Sequence, residues 1–98
     1  MSRYIKGRRL EYKVRDMLRT KGYVVIRAVQ SKPIDLICIK DGRVLLIECK
    51  TQQSALSKDR KAELLKLAKI SGALLLLASR KKHKIELTDL ETNEPFPI

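Results

Sequence analysis

The sequence predicts one α/β domain over residues 1–98, a central mixed β-sheet flanked by helices. Three observations carry this prediction. Apolar residues repeat at helical spacing in two segments, and short aliphatic or β-branched runs lie between and after them. The connection from the run ending at residue 50 to the run starting at 73 is long enough for a right-handed crossover between parallel strands. A chain of 98 residues has room for one core, burying roughly 60–70% of the surface its unfolded form exposes. An apolar fraction of 44% suits a globular domain, and four Gly with three Pro exclude collagen-like and low-complexity chains.

Each element follows from its own residues. Residues 3–21 read as a helix, because Leu10, Val14, Met17 and Leu18 recur at i, i+4, i+7 and i+8. Gly22 stands where helices commonly stop. Tyr23, Val24, Val25 and Ile26 are aromatic and β-branched, and predict a strand. Residues 29–33 are a loop. Residues 34–40 and 43–50 are two strands joined only by Asp41-Gly42, the strongest short hairpin signal. Residues 57–71 form a second helix, with Leu64, Leu65, Leu67 and Ala68 apolar and Gly72 as its terminator. Residues 73–79 are almost continuously apolar, which predicts a strand buried on both faces. Residues 83–88 read as an edge strand, and the tail 91–98, with two prolines, as irregular.

The charge points to an acidic partner. There are 22 Lys and Arg against 11 Asp and Glu, a net charge of +11. Residues 1–21 hold eight basic groups and two acids, and Arg80, Lys81, Lys82 and Lys84 form a second basic run. Four of the acids (Glu86, Asp89, Glu91 and Glu94) lie in the last 13 residues, so the body of the chain is more basic than the total. Nucleic acid is the leading partner, ahead of a membrane surface, and a merely solvated surface is the bland alternative. The longest strictly apolar stretch, residues 73–78, is too short to span a bilayer, and no signal peptide follows Met1. The expectation is a soluble cytoplasmic protein with no membrane partner.

The hairpin sets two acids against each other. With a two-residue turn, Lys40 pairs with Arg43, Ile39 with Val44, Ile37 with Leu46, and Asp35 with Glu48. Opposed Cβ atoms lie about 4.5–5.5 Å apart, where like charges destabilise the pair unless a cation lies between them. Lys50, two residues beyond Glu48, projects from the same face. The surrounding positions (Ile34, Leu36, Ile37, Cys38, Leu45, Leu46 and Ile47) are apolar, so the hairpin is expected to be covered on both sides. Two readings stay open. Glu48 and Lys50 are polar strand-end residues at the solvent boundary, or Asp35 and Glu48 hold Mg²⁺ or Mn²⁺, ions that take carboxylate and carbonyl oxygens. In the second reading the main-chain carbonyl of Cys49 supplies a further oxygen. Lys50 then orients or deprotonates an attacking water, or stabilises charge developing on a phosphate.

Glu11 also has two readings. It lies at helical spacing with Val14 and Leu18, on or beside the inward stripe. It either offsets Arg8 and Arg15 through helical pairs or reaches the metal as a third carboxylate. Cys38 and Cys49 share one hairpin face but lie roughly 13 Å apart, too far to bridge, and read as small core residues. His83 has no partners that would make a zinc site.

Three stretches then resemble a known family: Gly7-Arg8-Arg9-Leu10-Glu11-Tyr12-Lys13, Lys32-Pro33-Ile34-Asp35-Leu36-Ile37 and Leu46-Ile47-Glu48-Cys49-Lys50. Together they look like the PD-(D/E)xK nucleases, whose core is restriction-endonuclease-like. They are most similar to the archaeal-type Holliday junction resolvases, which some viruses also encode. The similarity runs from about residue 6 to residue 73. It implies that Glu11, Asp35 and Glu48 are acidic active-site residues, that Lys50 is the catalytic lysine, and that Ser31 matches a serine contributing to the site. It also implies a homodimer whose two sites cut opposed strands of a four-way junction. The chain departs from the family pattern in a short loop at 29–32, in one residue between Pro33 and Asp35, and in Arg60, where many relatives carry glutamine.

The leading expectation is a structure-selective, Mg²⁺-dependent DNA endonuclease, also supported by Mn²⁺, that resolves four-way junctions by paired symmetric phosphodiester hydrolysis in recombination and repair. With only Tyr4, Tyr12, Tyr23 and Phe96 as aromatics, recognition should rest on backbone shape and charge. The phosphate-contact candidates are Arg3, Lys6, Arg8, Arg9, Arg27, Lys32, Lys58, Arg60 and Lys61. The alternatives are a related nuclease acting on other DNA in repair or restriction, and a non-catalytic basic DNA-binding protein.

Overall fold

The computed structural model describes residues 3–28 and 33–97, with the side chains of residues 3–7 outside that description. Helix α1 (Arg3–Thr20) leads into β1 (Val24–Arg27), β2 (Leu36–Lys40) and β3 (Arg43–Cys49). A 3-10 turn (Gln53–Ala55), helix α2 (Lys58–Ser71), β4 (Leu74–Lys81) and β5 (Lys84–Asp89) follow. The five strands form one sheet in the order β1-β2-β3-β4-β5. Every neighbouring pair is antiparallel except β3 and β4, which α2 connects in parallel. The mixed sheet flanked by helices is therefore as the sequence predicts.

The two helices lie on opposite faces. Leu10, Val14 and Leu18 of α1 pack with Val25, Leu36, Cys38, Leu45, Ile47, Leu76 and Ala78. Leu64 and Ala68 of α2 pack with Ile34, Leu46, Leu75, Leu77 and Leu90. Successive residues of β3 and β4 alternate between these clusters, as the period of two requires. Residues 75–79 are all buried, so β4 has the two covered faces expected of it.

Local chemistry sets the ends of α2. The Ser57 hydroxyl accepts a hydrogen bond from the Arg60 N–H at 3.1 Å, a standard N-cap. Gly72 ends the helix in the left-handed region, φ 65°, where a side chain would be strained. At the end of α1, the Lys40 ammonium donates to the Lys21 carbonyl at 2.6 Å, covering one of the carbonyls a helix terminus leaves open.

Three expectations are corrected. The β2 ladder begins at Leu36 rather than residue 34, because Asp35 turns its side chain, not its main chain, to β3. The tail is not wholly irregular. Phe96 N–H donates to the Leu87 carbonyl at 2.8 Å, Pro95 bridges to Thr88, and the Phe96 ring packs on the α1-side core. The hairpin is not covered on both sides throughout, because α2 packs over β3 and β4 and stops short of β1. Val24 and Ile26 on β1 and Ile39 on β2 are left 62%, 47% and 36% exposed.

Candidate active site

The site forms where β2 begins and β3 ends. Asp35 is placed from two directions. Its main-chain carbonyl accepts from the Ala28 N–H at 3.1 Å, continuing the pairing with β1. Its carboxylate oxygen Oδ2 accepts from the Cys49 N–H at 2.8 Å, a bond to β3 that the ladder itself does not supply. On β3, Glu48 follows Leu46 on the α2 face. Asp35 lies just before the first ladder residue of β2, and its carboxyl is close enough to that of Glu48 to act on it electrostatically. Both acids are buried, Asp35 at 8% and Glu48 at 4% exposure. The Lys50 N–H donates to the Ala78 carbonyl at 3.0 Å, which extends the β3–β4 pairing and leaves Lys50 half-buried two positions beyond Glu48.

The third resident is Arg60, in the first turn of α2. Its Nε donates to Glu48 Oε2 at 3.3 Å. Its Nη2 donates to the Pro33 carbonyl at 2.6 Å, and its Nη1 reaches Glu63 Oε2 at 3.5 Å. One guanidinium thus spans the start of β2, the end of β3 and the helix that joins β3 to β4.

The electrostatics of Glu48 are those of a site built for a cation. Burial, and then the neighbouring Asp35 carboxyl, push the Glu48 carboxyl from 4.5 up to about 7, against the opposing pull of Arg60. Its other oxygen, Oε1, is buried with no hydrogen-bond partner. A buried anionic oxygen without a donor is costly, and a hard divalent ion satisfies it. The residues present therefore fit such an ion.

Glu11 stands elsewhere. It is buried on the α1 side, where Arg27 Nε holds its Oε1 at 3.2 Å. Arg27 and Arg15 lie over the Tyr12 ring, their guanidinium carbons 4.5 and 4.7 Å from its centre. Among the described residues, no three His, Cys, Asp or Glu side chains gather into a metal-holding group. The structure thus brings Asp35 and Glu48 together, with Lys50 two positions along the chain, but does not add Glu11 to that pair. Beside the helical neighbour Arg15, whose charge Glu11 favours, Glu11 has a direct partner across on β1 in Arg27. Ser31 and Lys32 lie outside the described residues, as do the side chains of Arg3 and Lys6. Of the remaining phosphate-contact candidates, Arg8, Arg9 and Lys58 are exposed, Arg27 is held by Glu11, and Lys61 donates to Asn93 Oδ1 at 3.2 Å. Cys38 and Cys49 are both buried and are not joined in a disulfide, as the sequence indicated.

Sequence reasoning missed a groove of about 620 Å³ beside the end of β3, lined in part by Gln52, Gln53, Lys61, Ser79 and Arg80. Gln53 Nε2 donates across it to Thr88 Oγ1 at 3.1 Å. The polar run Thr51-Gln52-Gln53-Ser54 directly after Lys50 was the signal that could have marked it.

Comparison with known proteins adds the following. A family model described as archaeal Holliday junction resolvase matches residues 2–97. The crossover junction endodeoxyribonuclease Hjc of Methanocaldococcus jannaschii is 34% identical over 79 residues, covering 78% of this chain and 59% of that protein. The chain thus spans less than two thirds of the length of this curated relative. The solved structure of Archaeoglobus fulgidus Hjc, a Holliday junction resolvase from an archaeal hyperthermophile, matches with a TM-score of 0.74 at 25% identity. That match covers 88% of this chain and 74% of the other, and the shared fold is the restriction-endonuclease-like α/β core.

Proposed function

This chain belongs to the archaeal Holliday junction resolvase family, and from that premise we propose that it is a metal-dependent endonuclease that cuts opposed strands of four-way DNA junctions by phosphodiester hydrolysis. The observation that carries the proposal is the buried Asp35–Glu48 pair with its partnerless Glu48 oxygen, set in a protein of net charge +11. In a basic DNA-binding module two buried acids would only repel phosphate. In a nuclease they hold a cation that reverses the sign.

Asp35, Glu48 and the main-chain carbonyl of Cys49 are the proposed ligands of a Mg²⁺ ion, for which Mn²⁺ would substitute. When bound, such an ion offsets phosphate charge and lowers the pKa of water. The chain's own residues do the rest. Asp35 Oδ2 accepts from the Cys49 N–H, which ties its carboxylate to the end of β3, next to Glu48. Lys50, on the same face, carries a positive charge toward the phosphate and orients the attacking water. Glu11 fixes Arg27 against Tyr12, so that its contribution to phosphate binding passes through Arg27. Arg8, Arg9 and Lys58, all exposed, are the proposed backbone contacts, with Arg3, Lys6 and Lys32 added from the sequence and Ser31 from the family resemblance.

We propose further that the protein works as a homodimer, as cutting two opposed strands requires two sites. The exposed Val24, Ile26 and Ile39 form the apolar surface that suits such pairing. No helix among the described residues is long and apolar enough to cross a membrane. Work on chromosomal or viral DNA would place the protein inside the cell.

The test compares an immobile four-way junction with a linear duplex of the same arm sequence, in Mg²⁺ or EDTA, with Asp35→Asn as control. Paired symmetric cuts confined to the junction, absent in EDTA and in the variant, are expected. Binding without cutting in either metal overturns the enzyme reading. Equal cutting of both DNAs moves the activity to a nuclease of broader substrate range.

A further inference from the structure

Arg60 occupies the place a metal ion would neutralise. Its guanidinium is bonded to Glu48 Oε2, to the Pro33 carbonyl and to Glu63, so it touches both margins of the acidic pair. Yet it leaves Glu48 Oε1 buried and without a partner. One monovalent cation therefore satisfies only one of the two Glu48 oxygens. Arg60 is half-buried, with a side chain 33% exposed, and the helix cap at Ser57 fixes only its main chain, so its long side chain can turn outward without unwinding α2.

Formal charges show what this arrangement does. Asp35, Glu48 and Glu63 carry −3 when ionised, and Arg60 with Lys50 carries +2, so the charged groups of the site sum to −1. Adding a divalent ion gives +1, and adding a phosphodiester as well gives zero. The site is balanced only when ion and phosphate are both present. With the ion alone, the guanidinium faces a second cation across the same carboxylate, which Coulomb repulsion disfavours. With the phosphate present, the guanidinium has an anion to turn to, and the forked donors of arginine suit a phosphate as well as a carboxylate.

We infer that Arg60 makes metal binding and DNA binding mutually dependent: it holds Glu48 in the free protein, resists a divalent ion there, and transfers to a backbone phosphate when DNA arrives. Arg60 is thus a positioning residue that couples two ligands. The inference rests on the metal-site reading above. By linkage, whatever factor phosphate adds to metal affinity, metal adds to DNA affinity.

The test is Mn²⁺ binding to the DNA-free protein by titration calorimetry, for the wild type, Arg60→Gln, Arg60→Lys and Glu48→Gln. Arg60→Gln should bind Mn²⁺ roughly tenfold more tightly than wild type, within the ~5–150-fold range of coupled sites. Arg60→Lys, which keeps the charge, should stay near wild type and shows whether a mere change of shape is responsible. In a Lys50→Ala background, which suppresses cutting, Mn²⁺ should strengthen junction binding measured by fluorescence anisotropy. Adding Arg60→Gln should shrink that gain. Equal Mn²⁺ affinity in wild type and Arg60→Gln, both weakened by Glu48→Gln, overturns the role of Arg60 and leaves the metal site standing. No Mn²⁺ binding in any variant, with or without junction, overturns both. Should Arg60→Gln lose its fold by circular dichroism, the wild type and Arg60→Lys in the anisotropy arm decide, because absence of any Mn²⁺ gain in both refutes the coupling.

Discussion

The buried carboxyl of Glu48 makes the metal-free protein sensitive to pH in a direction opposite to most acids in folded proteins. Burial and Asp35 raise it from 4.5 to about 7. A group whose folded pKa lies above its unfolded value binds more protons in the native state across that interval, so stability falls as pH rises through it. The fold has its full stability below about 4.5, loses it progressively up to about 7, and is at its lower plateau above that. The size of the raise corresponds to about 3 kcal/mol. For a domain of this size that amounts to roughly 10–20 °C in Tm. The assay is thermal unfolding in EDTA, followed by circular dichroism, from about pH 4 to about pH 8. Other titrating groups are removed by difference against Glu48→Gln, whose neutral amide keeps the shape and cannot ionise. The wild type should fall below the variant as pH rises, with most of the divergence between 4.5 and about 7. Parallel curves through that window would refute the claim that Glu48 is buried against Asp35 without a sufficient counter-charge.

Three further predictions bear on other parts of the fold. The Cys38 thiol, pushed up to about 12 by burial, should resist iodoacetamide in native protein near neutral pH, as checked by mass spectrometry, whereas labelling within minutes would contradict its place in the core. Leu76→Ala removes a side chain with no exposure at the centre of the sheet and should cost about 2–5 kcal/mol in urea unfolding, a loss below 1 kcal/mol being incompatible with close packing there. Ser57→Ala removes the α2 cap and should cost about 0.5–2 kcal/mol, together with a change in Mn²⁺ affinity if the cap helps set Arg60.

The sheet could be read closely because its determinants are local. Asp41-Gly42 with alternating apolar residues on either side sets the hairpin register, and the observed pairs Ile39 with Val44 and Ile37 with Leu46 are those the turn requires. Asp35 opposite Glu48 was legible as a neighbourhood, but not as geometry. Asp35 leaves the ladder and uses its side chain, and nothing in a period-two pattern distinguishes the two. Arg60 was visible as a departure from related sequences. Its seat on Glu48 depends on where α2 docks, a distance that no local spacing encodes. The partner of Glu11 was illegible for the same kind of reason: helical spacing shows that it faces inward, but not that Arg27, 16 residues along the chain, would meet it there. The exposed β1–β2 surface was hidden as well, since alternation says which face is apolar and not whether one helix is wide enough to cover it.

The order in which these contacts can form has its own consequence. The acids Asp35 and Glu48 sit on a hairpin that closes through a two-residue turn, so they meet as soon as that hairpin zips. Their counter-charge at residue 60 arrives only after the crossover helix has formed and packed across the sheet. During synthesis, where the chain emerges at about 5–20 residues per second, the last step of zipping brings like charges together before anything offsets them. The hairpin's open end is therefore the portion most prone to stay frayed until α2 docks, and docking and closure become one event. The same acidic pair that marks the mature protein's chemistry thus works, in the growing chain, against early closure.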